Sequence, residues 1–228
     1  MSTWAVLAAA GRGERLGADL PKAFSPFGDR VLLAESMARL DACEWVDGVV
    51  VATPEGWDEP AILLAEELGC DKVSAAIVGG ASRAESVRLA VAEIPDAAAV
   101  ILVHDAARPL LQAAVVDRLL KALFQGFDGA VPGLPLTDTV KRWRAGVVVE
   151  TLPRAELVAV QTPQAFLVAA LRAAHTGDVD ATDDALLVEA AGGTVVVVGG
   201  DPRNLKVTNV ADIAVVEALL AALPGSTP

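Results

Sequence analysis

A Rossmann-like α/β fold, with a mostly parallel sheet covered by helices on both faces, is what this sequence predicts. Short β-branched runs alternate with Ala/Leu-rich stretches of helical length, which is the signature of strand–helix units. The runs are almost continuously apolar rather than alternating, as strands buried on both faces are. The 228 residues are 54% hydrophobic, enough for one domain (1–228) with a large core.

In chain order, the first strand is 4–9, part of the apolar run Ala5–Ala10, and a glycine-rich loop follows it. A helix over 33–42 leads to a strand at 48–53, Gly-Val-Val-Val-Ala-Thr. A helix at 57–69 and a strand at 73–78 come next, then Gly79-Gly80 and a helix over 83–93. Ser82 and Glu85 stand at capping-box spacing where that helix starts. The most apolar strand is 98–104, followed by a helix at 112–124 and a strand at 128–133. The remaining elements are a strand at 157–161, helices at 164–174 and 182–191, a strand at 195–199 and a helix at 210–222. Thr182, Asp183 and Asp184 open the helix at 182–191, where acids complement the helix dipole, so both aspartates read as capping residues. Pro224 to Pro228 read as a frayed tail.

Residues 134–156 break the alternation. Two strand-like pieces, 138–143 and 147–152, flank Arg144-Ala145-Gly146, a plausible hairpin turn. A lone two-stranded hairpin is marginal in water, so this one needs a surface to pack on. That surface is either a second subunit or an edge of its own domain.

Composition removes several function classes. Aromatic residues make up 4% and there is no Tyr, which argues against stacking platforms for single-stranded nucleic acid. A formal net charge of −12 argues against duplex binding, and it repels anionic substrates unless local cations overcome the field. Cys43 and Cys70 lie far apart with no CxxC, so free thiols are expected rather than a disulfide or zinc site. No stretch reaches the roughly 18 apolar residues of a membrane span. The first apolar run lacks a basic leader and reads as a strand rather than a signal peptide. The expected location is the cytoplasm.

In open parallel sheets, ligands bind outside the carboxyl ends of the strands. The first loop carries Gly11, Gly13 and Gly17 together with Arg12, Arg15 and Lys22. It is not a dinucleotide fingerprint, because Leu16 takes the place of the third glycine and the second strand ends without an acid. It is not a Walker loop either, because Lys22 follows proline and precedes Ala23. Backbone amides and cations facing a phosphate chain remain. In the second loop, Gly80 and Ser86 are placed to meet a base or ribose. In the third, Val103-His104-Asp105-Ala106-Ala107-Arg108-Pro109, the acid at the strand end needs a partner if buried: a divalent cation, a sugar hydroxyl or Arg108. His104 reads as a packed core histidine. Lys206 lies in a run otherwise fit for burial and calls for an anion such as phosphate.

Taken together, Ala9-Ala10-Gly11-x-Gly13-x-Arg15 with Pro21-Lys22, Gly79-Gly80-x-x-Arg83-x-x-Ser86-Val87, the His104–Pro109 loop and Asp138-Thr139-Val140-Lys141 form an ordered set. Gln161-Thr162-Pro163-Gln164 and Asn204-x-Lys206-Val207-Thr208 extend it over nearly the whole chain. The set resembles the 2-C-methyl-D-erythritol 4-phosphate cytidylyltransferases; ribitol 5-phosphate cytidylyltransferases share most of these motifs.

The resemblance implies a nucleotide-diphospho-sugar-transferase-like fold and a homodimer whose protruding β-arm, residues 134–156, reaches the partner's active site. It implies transfer of a cytidylyl group from CTP to methylerythritol phosphate, with Mg2+ and release of pyrophosphate. Arg15 and Lys22 would then be catalytic, holding the CTP phosphates and stabilising the transition state, with Arg12 in support. Ala9, Gly11, Gly13, Gly80, Ser86 and Ala106 would bind the nucleotide. Asp105, Arg108, Thr139, Arg154, Thr162 and Lys206 would bind the sugar phosphate, Thr139 and Arg154 coming from the partner's arm. Mg2+ would be held mainly by phosphates, with Asp105 as its candidate protein ligand. Activity is the first expectation; a non-catalytic nucleotide-binding module is the second, and it has less need of cations on both sides of the α-phosphorus.

Overall fold

A computed structural model describes residues 2–11, 20–176 and 181–222. β1 (Thr3–Ala8) starts the chain, followed by a 3-10 turn (Lys22–Phe24), a small hairpin of β2 (Pro26–Phe27) and β3 (Arg30–Val31), and α1 (Leu32–Asp41). Then come β4 (Gly48–Thr53), α2 (Asp58–Leu68), β5 (Val73–Val78), α3 (Arg83–Ala92), β6 (Val100–Asp105), α4 (Ala113–Phe124) and β7 (Gly129–Pro135). The second half adds β8 (Lys141–Arg144), β9 (Val147–Thr151), a 3-10 turn (Arg154–Glu156), β10 (Val158–Val160), β11 (Gln164–Leu167), α5 (Val168–Ala174), α6 (Asp184–Ala190), β12 (Val195–Gly199) and α7 (Val210–Ala221).

The main sheet runs β10-β7-β11-β6-β1-β4-β5, with β12 on the other edge of β7. β1 pairs in parallel with β4 and β6, and β4 with β5. β12 is parallel to β7, whereas β11 and β10 are antiparallel to their neighbours. The expected mostly parallel α/β sheet is present, with antiparallel strands inserted on one side.

Alternation of side chains along the strands builds two cores. Ala5 and Leu7 of β1, Val49 and Val51 of β4 and Leu102 of β6 face Leu33, Met37, Leu40, Val115 and Leu119 of α1 and α4. Val6, Val50, Ile101 and Val103 point the opposite way, to Val87 and Val91 of α3 and Leu171 of α5. Both faces are covered, which is why these strands are apolar at every position.

Most expected elements appear within a residue or two. The segment 164–174 does not form one helix: its first four residues are β11, and only Val168–Ala174 is helical. β11 fills the gap between β6 and β7, giving both central strands a ladder that the local helical pattern could not reveal. Its Phe166 is fully buried, and Gly129 opposite leaves it room: a Cβ at Gly129 would stand 2.7 Å from the ring.

The expected hairpin is present but shorter, Lys141–Arg144 against Val147–Thr151. Ala145 and Gly146 in the turn both have positive φ, 47° and 82°, as a tight hairpin of matching twist requires. β8 and β9 pair only with each other, outside the main sheet, and every residue of both is exposed. Among the described residues the hairpin is thus not an added edge of the main sheet.

Candidate active site

The ends of β1, β5 and β6, together with the segment after β12, enclose a cleft of about 800 Å³. Ala8–Gly11, Lys22, Gly80–Arg83, Ser86, Asp105–Ala107, Lys206 and Thr208 line it. This is the strand-end position expected for a ligand in such a sheet. Of the six nucleotide-loop residues singled out in the sequence, Ala9, Gly11, Gly80, Ser86 and Ala106 all reach the cleft. Gly13, and with it Arg12 and Arg15, lies outside the described residues.

Lys22 is set by its turn. Its backbone N–H donates to Gly11 O at 3.3 Å, so the two ends of the first loop meet. Ala23 and Phe24 beyond it are buried, and the Phe24 ring packs on Trp57 with centroids 4.3 Å apart. The apolar pair thus anchors the turn while Lys22 faces the cleft.

The second loop is held from within. Ser82 caps α3 by accepting from Glu85 N, and Glu85 Oε2 accepts from Ala81 N at 2.7 Å. Ser86 Oγ accepts from Gly80 N at 3.0 Å and donates to Ser82 O at 2.8 Å. A Cβ on Gly79 would stand 2.7 Å from both Ala10 Cβ and Ser86 Oγ, so glycine there lets the first and second loops touch. Ala106 gives its amide to Ala8 O and its carbonyl to Ser36 Oγ, which leaves its side chain as wall.

Asp105 is the hub of the third loop, and its partners differ from those expected. Lys206 Nζ donates to Oδ2 at 2.7 Å and Arg83 Nε to Oδ1 at 3.3 Å. Arg108 turns away, donating from Nη1 to Asn204 O at 2.9 Å. Burial alone would raise the Asp105 carboxyl, but the charges of Arg83 and Lys206 outweigh it and hold the group well below the usual carboxylate range. Lys206, expected to call for an anion such as phosphate, has a side chain 40% exposed at the mouth of the cleft, and Asp105 is its anion within the chain. Thr162 lies beneath this acid, where its Oγ1 accepts from Asp105 N at 3.0 Å and donates to His104 Nδ1 at 3.2 Å. His104 Nε2 completes the chain by donating to Arg108 O at 3.1 Å. Burial drives the imidazole down to about 4, so it is neutral at pH 7, as a packed histidine should be.

Asn204 is a further support that the motif reading did not assign. It is fully buried; its Nδ2 donates to Thr162 O, and its carbonyl accepts from Arg108 and Gln161. Asp184, read as a capping residue, is corrected: Asp183 caps α6 by accepting from Leu186 N, while Asp184 is fully buried and binds Arg83 Nη1 at 2.7 Å. Arg83 Nη2 and Arg108 Nε are buried without a hydrogen-bond partner. Thr139 and Arg154 stand on the exposed arm region and do not line this chain's cleft; Arg154 Nη1 donates to Thr137 O.

Among the described residues no group of three or more His, Cys, Asp and Glu side chains is placed to hold a metal ion. Asp105, the carboxylate on the cleft, already gives one oxygen to each of two cations. The described residues suit an anionic ligand and do not by themselves form a cage for a divalent ion.

A family model described as IspD, 2-C-methyl-D-erythritol 4-phosphate cytidylyltransferase, matches residues 3–222. The chain belongs to this family. A 2-C-methyl-D-erythritol 4-phosphate cytidylyltransferase of Nocardia farcinica is 46% identical over 220 residues, 96% of this chain and 94% of that protein. One of Saccharopolyspora erythraea is 45% identical, covering 97% of this chain and 100% of that protein. The crystal structure of the Thermus thermophilus cytidylyltransferase superposes with a TM-score of 0.78 at 34% identity, covering 96% of this chain and 98% of that one. The cleft, with its glycine loops and its Asp105–Lys206 pair, is therefore the candidate active site of a cytidylyltransferase-family enzyme. Among the described residues no helix is long and apolar enough to cross a membrane.

Proposed function

We propose that this chain transfers the cytidylyl group of CTP to 2-C-methyl-D-erythritol 4-phosphate, giving 4-diphosphocytidyl-2-C-methyl-D-erythritol and pyrophosphate. The observation that carries the reading is the meeting, in one cleft of a chain of net charge −12, of Gly11, Gly80, Lys22 and Lys206. Ribitol 5-phosphate, the alternative acceptor, is not favoured, since relatives at 46% and 45% identity are named for methylerythritol phosphate.

The chemistry needs no general base. A phosphate monoester has a second pKa near ~6, so its oxygen is already anionic at neutral pH. That oxygen attacks the α-phosphorus in line, the new P–O bond forms, and the bond to the β-phosphate breaks to release pyrophosphate. His104, neutral and buried, has no part in moving a proton. Catalysis rests on alignment and on fixed positive charge facing the equatorial and departing oxygens. Lys22 supplies that charge from the first loop, with Arg15 beside it in sequence. Gly11 and Gly80 present backbone to the nucleotide, a role the resemblance also gives Gly13, and Ala9, Ser86 and Ala106 shape its seat. Lys206, Arg108, Asp105 and Thr162 hold the sugar phosphate. Arg108 Nε, buried without an acceptor, is the donor that an incoming anion would satisfy. Mg2+ would travel with the CTP phosphates as part of the substrate, neutralising charge there rather than occupying a protein cage.

The single domain is completed as a homodimer by its arm. Trp143 is 67% exposed and Val147, Val148 and Val149 are all more than half exposed, an apolar surface that no described residue of its own chain covers. Docked on a second copy, the arm would carry Thr139 and Arg154 to that copy's cleft. Soluble substrates of this kind place the enzyme in the cytoplasm. Neither nucleic acid nor membrane enters the reading. Pyrophosphate release is the test: purified protein with CTP and methylerythritol phosphate should release it at a rate far above that with CTP and ribitol 5-phosphate. No release with either acceptor would overturn the assignment.

A further inference from the structure

Behind the cleft a line of charge runs into the protein. Lys206 Nζ stands 2.7 Å from Asp105 Oδ2, Asp105 Oδ1 3.3 Å from Arg83 Nε, Arg83 Nη1 2.7 Å from Asp184 Oδ2, and Asp184 Oδ1 3.1 Å from His175 Nε2. The five residues come from the loop after β12, the end of β6, the start of α3, the start of α6 and the end of α5. Asp184 is fully buried and has no capping duty, because Asp183 performs it. A carboxylate with no access to water is costly unless a cation holds it, so its place is set by Arg83. Arg83 in turn is shared between two acids and opens α3 directly after the Gly79–Ser82 loop. One guanidinium therefore ties the nucleotide loop to the Asp105–Lys206 pair.

We propose that Arg83, anchored by Asp184, is a positioning residue that sets Asp105 and thereby leaves the Lys206 ammonium available to the sugar phosphate. This rests on the functional reading above. With Arg83 in place, the Asp105 charge is divided between two cations. Without it, Lys206 becomes the only ion-pair partner of Asp105 among the described residues, and the 2.7 Å contact it already makes tightens against the pull of a phosphate.

Steady-state kinetics of the wild type, Arg83→Gln, Arg83→Lys, Lys206→Met and the double variant test it. Arg83→Gln should raise KM for methylerythritol phosphate roughly 10- to 100-fold, the worth of a hydrogen bond to a charged group, while KM for CTP changes less than about 3-fold. Arg83→Lys should recover part of that loss. Adding Arg83→Gln to Lys206→Met should change KM little further, since the first acts through the second. If Arg83→Gln does not fold, Arg83→Gln/Asp184→Asn removes the stranded buried charge, and the same KM comparison is made with it. Active wild type whose variants lose kcat with both KM values unchanged, or whose losses simply add, overturns this inference alone. Wild type that releases no pyrophosphate overturns the functional reading and this inference with it.

Discussion

Lys206 Nζ and Asp105 Oδ2 stand 2.7 Å apart although 101 residues separate them in the chain. The pair joins the third loop to the segment after β12 and places one ammonium at the mouth of the cleft. Lys206→Met should lower kcat/KM for methylerythritol phosphate on the order of 100-fold, the scale of one lost charge-stabilising donor. The side chain is 40% exposed, so the fold should lose less than about 1 kcal/mol. Parallel kinetics and urea unfolding separate the two, and unchanged kcat/KM would remove Lys206 from the site.

Lys22 faces the same cleft from the first loop. If its charge acts mainly on the transition state, Lys22→Ala should lose kcat on the order of 100- to 1,000-fold while CTP binding by calorimetry stays measurable. Turnover at the wild-type rate would refute the role.

The exposed arm yields a complementation experiment. On the proposed function, Lys22→Ala should disable a cleft and Arg154→Ala an arm. Mixed after unfolding and refolding, the two inactive proteins should form heterodimers with one intact cleft, recovering about a quarter of wild-type activity for random pairing. Activity that stays at the level of the separate variants would show that each cleft uses its own Arg154.

His104 predicts a pH dependence of stability. Burial lowers its pKa from 6.5 to about 4, so the unfolded chain binds this proton more tightly than the folded one. Its stabilisation is complete above pH 6.5 and is lost as the pH falls toward 4, by an amount on the order of 3 kcal/mol. His104→Gln keeps a donor for Arg108 O and cannot titrate, so its urea midpoint should vary less across that window than the wild type's. Equal slopes for the two proteins would count against the network through Thr162.

Much of the architecture was legible along the chain because burial on both faces leaves an apolar strand no choice of register face, and capping residues mark helix starts locally. Ser82, Asp183 and the hairpin turn at Ala145-Gly146 were visible for that reason. β11 was not, since Gln164–Leu167 became a strand only when β6 and β7 offered it two ladders. The glycine loops and their cations were readable as phosphate-binding chemistry. The partner of Asp105 was not: Arg108 is near in sequence, yet Arg83 and Lys206 hold the acid.

By itself, then, the sequence determined which segments are strands buried on both faces, which loops leave their carboxyl ends, and which residues in those loops bear charge. Those properties follow from residue type and short-range spacing. Tertiary structure alone decided that Arg83 serves both Asp105 and Asp184, that Asp184 is buried instead of capping, and that the hairpin stands clear of its own sheet. Those depend on groups as many as 101 residues apart, where closing the fold selects the partner and local pattern carries no information about it.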